Sequence, residues 1–578
     1  MNSETRVCQN CKNDFTIEPD DFAFYEKIQV PPPTFCPECR MIRRMVWRNH
    51  RSFYRRSCEV CKKSLISVYK EDNAPVMCTD CWNGDAWNIF ALARDIDWST
   101  PLLSQIEAIF KEQPRVFQYR LGGTNVNSDY ANSISNCKNA YLSFSLLSSE
   151  DIFYSENIDN SKEIIDSFNV SNADKCLWNI DSSENYNCHF VIESHKNIDS
   201  SFLYDCQNCQ NCCLSASLRN KSYYFKNTQV TKEEYEELVA KLHLETYTGV
   251  EKTKDEFVKI REAAPRRYAQ VLKSVDAGGD HIKNSKNIRG SHNITGSEDV
   301  TNSFRIVTSR DIHDCTWVLD GELEYETISG SAGSNNHIGC AVCFTSSNME
   351  YSLFCKGCSD CFLCVGLKNA KYCILNKQYS KEDYMELVPR LREHMRAMPF
   401  VDEKGRTYVY GDFYPSSFSP FGYNETLAHD NFPKTESEAK NLGLNWKEKE
   451  VKDHAPTKEA DDLPDSILDT DDSILDEIIA CQNKGDQMTQ CTTAFKIVPG
   501  EFDVYKNKKL PLPHFCPNCR HYQRLSLCNP LKLWHRQCMC DQDSHDHEGK
   551  CANEFETSYA PDRPEKVYCE SCYQKEVL

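Results

Sequence analysis

Through the middle of this chain, small polar and apolar residues alternate at every third position. Ser285, Ser297, Ser309, Glu322, Ser334, Ser346 and Cys358 open successive units, spaced twelve apart with one slip to thirteen at Glu322. Three residues on come Ile288, Val300, Ile312, Tyr325, His337, Met349 and Cys361, and six on come Ser291, Ser303, Cys315, Cys340, Ser352 and Cys364. An earlier stretch, from Cys137, Ser149, Ser161 and Ala173 to His195 and Cys209, has the same rhythm. A helix repeats every 3.6 residues and a strand every two, so neither explains a period of three. Short strands broken by turns do, if the chain winds as a β-solenoid with every third side chain inward and rungs about 4.8 Å apart. Whether a rung takes one twelve-residue unit or two stays open at this point.

The repeats are themselves duplicated. Asn227, Gln229, Thr231, Tyr235 and Leu238 return 149 residues later as Asn376, Gln378, Ser380, Tyr384 and Leu387. Thr231 with Glu234 has capping-box spacing, so a helix is expected after each solenoid, with Pro389 kinking or shortening the second. The ends match too. Cys11, Cys36, Cys39 and Cys58 recur 480 residues on as Cys491, Cys516, Cys519 and Cys538, and Tyr25, Arg40, Arg44 and Arg56 recur as Tyr505, Arg520, Arg524 and Arg536. Cys78 and Cys81 reappear as Cys569 and Cys572, displaced by 491 because of an insertion around residues 541–550.

The chain has 33 cysteines, and paired Cys-x-x-Cys spacing marks those at the ends as metal ligands. Two knuckles make one tetrahedral zinc site. Cys8, Cys11, Cys36 and Cys39 form the first set, and Cys58, Cys61, Cys78 and Cys81 the second. In the last module Met488 stands where Cys8 would be, so Cys481 joins Cys491, Cys516 and Cys519. Cys538, Cys551, Cys569 and Cys572 make the fourth set, with Cys540, His545 and His547 as rivals for one place. About four structural zinc ions are expected, closed to water and so unsuited to catalysis. The run Cys355, Cys358, Cys361 and Cys364 invites an iron–sulfur reading, but all four fall on inward positions of the repeat and are expected as core thiols, as is Cys528.

From Arg40 to Lys63 there are nine basic residues and one acid, interleaved with aromatics. Arg40, Arg43, Arg44, Trp47, Arg48, Arg51, Tyr54, Arg55 and Arg56, with Arg520, Arg524 and Arg536 in the later copy, make a candidate surface for RNA or DNA. The alternative is a solvated basic face. A net charge of −19 argues against a uniformly basic coat. A β-helix enzyme would need clustered carboxylates, whereas Asp151, Asp311, Asp314, Asp320 and Glu324 scatter over turn-like positions. Protein binding along the solenoid is the neighbouring hypothesis. Mean hydropathy is −0.62, no apolar run reaches a membrane span, and the start MNSETRVCQNC carries no signal peptide, so a soluble cytoplasmic protein is expected.

The fold class expected is mainly β: two duplicated β-solenoid modules with short helices, flanked by zinc-ribbon or treble-clef-like modules. The segments are a double zinc module at 1–100, a helical connector at 101–124, a solenoid at 125–230 and a helical segment at 231–274. A second solenoid at 275–379 follows, then a helix and extended segment at 380–447, an acidic linker at 448–477 and a double zinc module at 478–578. The solenoid spacing is similar to that of insect antifreeze proteins, but the threonine array those use on ice is missing. FCPECRMIRRMVWRN, YGDFYPSSFSPFGYNET, LPDSILDTDDSIL and CANEFETSYAPDRPEKVYCESCY resemble stretches of a family of multi-cysteine proteins from candidate-phyla bacteria. The resemblance spans nearly the whole chain and implies no activity and no cofactor-binding residues.

Overall fold

The computed structural model describes residues 2–577 except 72, 86, 121–123, 449–454 and 546. Strands dominate, in two large parallel sheets that coil as solenoids. The chain divides into two compact units, Met1–Gln118 with Ala269–Glu448, and Tyr119–Tyr268 with Lys449–Leu578. Each unit therefore joins a terminal cysteine module to the solenoid that is not its neighbour in sequence.

Strand partners lie twelve residues apart, as in Glu150↔Lys162, Lys162↔Asp174, His189↔Ser201 and Lys286↔Glu298. One rung therefore takes one twelve-residue unit. The corners explain how so small a rung closes: Asn136, Asn139, Leu142, Ser145, Ser148 and Asp151 all have φ between 43° and 59°, a left-handed turn every third residue. Asn and Asp tolerate that conformation better than other residues with a side chain, which is why they crowd these positions. They also bond along the stack, as Asn139 donates to Asp151 at 2.7 Å and Asn187 to Asp199 at 2.7 Å.

Inside, the serines have a specific task. Each turn aims a backbone N–H into the bore, where an unmet donor is costly. The Ser143 hydroxyl accepts from the N–H of Ser155 at 3.1 Å, Ser155 from Ser167 at 3.0 Å, and Ser297 from Ser309 at 3.1 Å. Ile152, Ile158, Ile164 and Val170 fill the alternate positions as an apolar column. Cysteines take the serine register: the N–H of Cys212 donates to Ser200 Oγ at 3.1 Å and that of Cys358 to Ser346 Oγ at 3.1 Å. Cys355, Cys358, Cys361 and Cys364 sit in a buried cluster with Met349 and Leu367, each no more than 2% exposed.

The thirteen-residue slip falls one rung later than expected. Arg310 still pairs with Glu322 at twelve, whereas Gly321 pairs with Ser334 at thirteen. Gly333, at φ 82°, lies in the segment that takes the extra residue. Gly321 and Glu324 therefore point inward, not Glu322 and Tyr325. The bore accepts a carboxylate here because a Cβ on Gly321 or Gly330 would lie 2.7 Å from Glu324 oxygens. Ser334 donates to that carboxylate, and burial pushes its pKa up. Tyr325 turns outward and is buried against Phe24 and Tyr25.

Thr231 and Glu234 form the expected capping box of helix Lys232–Ala240. Helix Lys381–Ala397 is capped by Ser380 and runs through Pro389 without ending there, so the proline does not shorten it. Of the acidic segment, residues 449–454 lie outside the described residues. The rest is pinned, with Ala460, Leu463, Ile467 and Ile474 buried in the same core as Phe495, Phe502 and Tyr505.

His313 stacks on Phe24 at 3.6 Å, and its Nδ1 is buried with no hydrogen-bond partner. Burial, then the charges of Arg289, Arg40 and Lys27, push its pKa down to about 3. The unfolded chain takes up a proton below about pH 6.5 that the native ring refuses, so this site's contribution is intact above that pH and falls as acid is added. His313→Phe keeps the stack. Between pH 6.5 and 5 it should lose about 2 kcal/mol less stability than the wild type, read from urea unfolding at each pH.

Candidate metal centres

Each module builds its sites from a hairpin and a helix. Strands Glu4–Val7 and Asp14–Ile17 pair, and the turn between them presents Cys8 and Cys11. Cys36 is the N-cap of helix Pro37–Met45, whose first turn carries Cys39. The second set repeats this, with Cys58 and Cys61 between strands Tyr54–Ser57 and Ser64–Ser67 and Cys78 capping helix Thr79–Asn83. In the last module Cys516 caps helix Pro517–Leu525, and Cys569 precedes helix Glu570–Val577. A helix N-terminus favours a thiolate, because its dipole places positive potential there.

The four sets come together as the spacing predicts. Cys8, Cys11, Cys36 and Cys39 lie with all ligand atoms within 4.8 Å, as do Cys58, Cys61, Cys78 and Cys81; Cys481, Cys491, Cys516 and Cys519; and Cys538, Cys551, Cys569 and Cys572. Zinc–sulfur bonds of about 2.3 Å in a tetrahedron require sulfurs about 3.8 Å apart. Cys11 and Cys36 are 3.7 Å apart, Cys61 and Cys78 3.8 Å, Cys481 and Cys519 3.8 Å, and Cys551 and Cys569 4.0 Å. One bond recurs in all four: the N–H of Cys36 donates to Cys8 Sγ at 3.2 Å, Cys78 to Cys58 at 3.4 Å, Cys516 to Cys481 at 3.2 Å and Cys569 to Cys538 at 3.2 Å. Such donors stabilise the charged sulfur. At Cys58 burial works to raise the pKa, but the N–H groups of Cys78, Cys61 and Val60 outweigh it and bring the thiol to about 6.

Cys481 completes the third set, and Met488 is 40% exposed, because the loop between the hairpin strands is longer here. Cys528 donates to the carbonyl of Arg524 at 3.7 Å. Cys540, His545 and His547, the rivals for a place in the fourth set, lie close to Cys572. With it they make a second set of four whose ligand atoms all lie within 4.8 Å of one another, so Cys572 belongs to both sets.

The first half of the basic stretch is turned inward. Arg40, Arg43, Arg44, Trp47 and Arg48 are each no more than 2% exposed, which removes them as a nucleic-acid surface. In the first unit Arg40 Nη1 meets Asp314 Oδ2 at 2.9 Å, Arg43 Nη2 meets Glu326 Oε1 at 2.6 Å, and Arg44 Nη1 meets Glu326 Oε2 at 2.9 Å. Trp47 packs among Phe110, Phe413 and Tyr414, and Arg48 lies over the Trp317 ring at 5.0 Å. The second unit repeats the device: Arg520 and Arg524 both bind Asp166, Arg524 at 2.7 Å, and Arg520 also meets Glu501 at 3.2 Å. Asp314, Glu326 and Asp166 all occupy left-handed corners of their solenoids. Arg56 and Arg536 hold carbonyls of their own modules, Ala74 at 3.4 Å and Ala560 at 3.1 Å, and Tyr54 donates to Glu425. Arg51 is half-buried, and Arg55 is exposed.

Four of the five enzyme candidates have structural partners. Asp314 serves Arg40, Asp311 pairs with Lys27 at 3.0 Å, Glu324 faces the bore, and Asp151 accepts from Asn139. The inward turn of the arginines escapes a reading of charge runs, yet one signal carried it: Arg40, Arg43 and Arg44, spaced three and four apart, share a helix face.

Two outcomes follow. Replacing Arg43 and Arg44 together by Ala leaves Glu326 with an unmet buried charge, and replacing Arg520 and Arg524 together does the same to Asp166, so each double variant should cost at least about 3–5 kcal/mol in chemical unfolding. Exhaustive chelation should open both modules to protease and reduce the circular dichroism signal, since metal contributes on the order of 10 kcal/mol to structural sites of this kind. Unchanged spectra and cleavage after metal removal would contradict the four-thiolate centres. No known family model matches this chain, and comparison with curated proteins gives no match, so the case for function rests on these centres and the solenoids they are fastened to.

Proposed function

We propose that this protein is a zinc-stapled scaffold: treble-clef-like modules, each a hairpin knuckle joined to a helix N-terminus, hold two β-solenoids whose flanks bind a protein partner. The observation that carries this is the fate of the basic stretch. Arg40, Arg43, Arg44, Arg520 and Arg524 act as an internal latch between module and solenoid, so most of the arginines that suggested nucleic acid are spent on the fold, with Arg55 left exposed. The four-thiolate sets leave no ligand position for water, which suits a structural metal and not a hydrolytic one.

The outward faces of the solenoids are regular. Lys138 and Glu150 pair at 2.6 Å on adjacent rungs, and Lys286 and Glu298 at 2.8 Å, giving columns of alternating charge. Tyr186 and Ile198, 43% and 41% exposed, are neighbours in one such column. A flat ladder of this type offers a partner both ion pairs and apolar contacts at a fixed repeat.

No helix among the described residues is long and apolar enough to cross a membrane. Crosslinking of the full chain in its host tests the proposal. Protein crosslinks should cluster at Lys138, Lys162 and Lys286. Salt-dependent RNA or DNA binding that is lost in Arg55→Ala would instead favour nucleic acid at the hairpins.

A further inference from the structure

We propose that the last module holds two metal ions joined by a single thiolate, that of Cys572. Two ligand sets meet at this residue. One is Cys538, Cys551, Cys569 and Cys572; the other is Cys540, His545, His547 and Cys572, and in each the four ligand atoms lie within 4.8 Å of one another. A thiolate has lone pairs enough to bridge two ions, and His and Cys together suit zinc or another borderline divalent metal.

The second set has the geometry of a site and not of a chance cluster. Cys540 Sγ lies 3.1 Å from His545 Nδ1, and Cys572 Sγ lies 3.4 Å from His547 Nε2. A tetrahedral zinc with ordinary bonds would put sulfur and nitrogen about 3.5 Å apart. Each ring's other nitrogen faces an acceptor. His547 Nδ1 is 2.8 Å from the carbonyl of Gly549, and His545 Nε2 is 3.6 Å from the Glu576 carboxylate. A neutral imidazole has one proton to give. With it directed to Gly549 or Glu576, the nitrogen facing the sulfur carries a bare lone pair, the arrangement that metal-bound histidines adopt.

The duplication supplies an independent argument. At the 480-residue displacement Cys540 corresponds to Val60, which is 39% exposed, and both histidines belong to the insertion that the N-terminal copy lacks. The hairpin beneath is unchanged: Cys538 N–H donates to the carbonyl of Asn553 at 2.8 Å, as Cys58 does to that of Lys63 at 2.9 Å. The insertion and the cysteine at the Val60 position therefore leave the four-thiolate site intact and add three ligands beside it, two histidines from the insertion and Cys540 just before it. Charge favours the pairing. Four thiolates on one divalent ion carry a net charge of about −2, whereas five thiolates and two neutral imidazoles on two ions carry about −1. The smaller charge suits a site where Cys540 is 0% exposed and His545 6% exposed.

The inference rests on the four-thiolate sets binding zinc, and a metal count on the purified full chain separates the two claims. Five ions per chain are expected, falling to four in His545→Ala/His547→Ala. Four ions in both proteins would overturn the pair while leaving the four-thiolate sites standing, and none in either would overturn both. Cadmium-113 exchange into the wild-type chain reads the bridge without a variant. Two resonances coupled to each other through Cys572 are expected, and five uncoupled resonances would overturn the shared thiolate.

Discussion

A guanidinium taken out of water must meet a carboxylate, and the rest of this structure is arranged around that requirement. Arg40, Arg43 and Arg44 leave one helix together and find Asp314 and Glu326, and Arg520 and Arg524 find Asp166. The match is specific because both sides are fixed. The helix carries at its N-terminus two cysteines of a candidate metal set, and the carboxylates sit at solenoid corners whose backbone is set by a left-handed turn. Burial pushes Asp314 up to about 6 despite the opposing charges of Arg40 and Arg44. A contact with so large a desolvation cost adds little net stability as a pair, yet it penalises any other docking, which would strand a charge.

The solenoids provide the carboxylates' positions by a similar exchange of constraints. Twelve residues per rung leave a bore too narrow for much apolar volume. The core therefore consists of an apolar column beside a polar one, in which serine hydroxyls take up N–H groups that the corners turn inward. Cysteine fits the polar column because it is small and its thiol can donate to a nearby carbonyl, as Cys137, in register with Ser149, does to Ser135 at 3.2 Å. Interior thiols and terminal thiols thus answer different needs, one of packing and one of charge.

What the sequence disclosed follows from how local each determinant is. The period of three, the capping box at Thr231 and the Cys-x-x-Cys pairs act within a few residues, and all are visible in one dimension. The position of the extra residue near Gly333 was not, because Glu322 and Tyr325 look better suited to the repeat than Gly321 and Glu324. Only the room left by Gly321 and Gly330 explains the choice. The partners of Arg40 and Arg44 lie more than 270 residues away, beyond the reach of any local pattern. A basic run interleaved with aromatics reads as a surface until its carboxylates are found.

The two duplications then become one statement. Displacements of 480 residues between the end modules and of 149 between the solenoids superimpose once each unit is seen to contain one member of either pair. Arg44 and Arg524 correspond, and so do the corners they bind, Asp314 and Asp166, 148 residues apart. A chain ordered module, solenoid, solenoid, module has built the same latch twice, between its first and third parts and between its second and fourth. Each latch ties residues of an end module to a solenoid corner, whereas the insertion at residues 541–550 touches no latch arginine. That freedom accounts for the two copies differing in sequence there while keeping Arg40 with Arg520, Arg44 with Arg524 and Tyr25 with Tyr505.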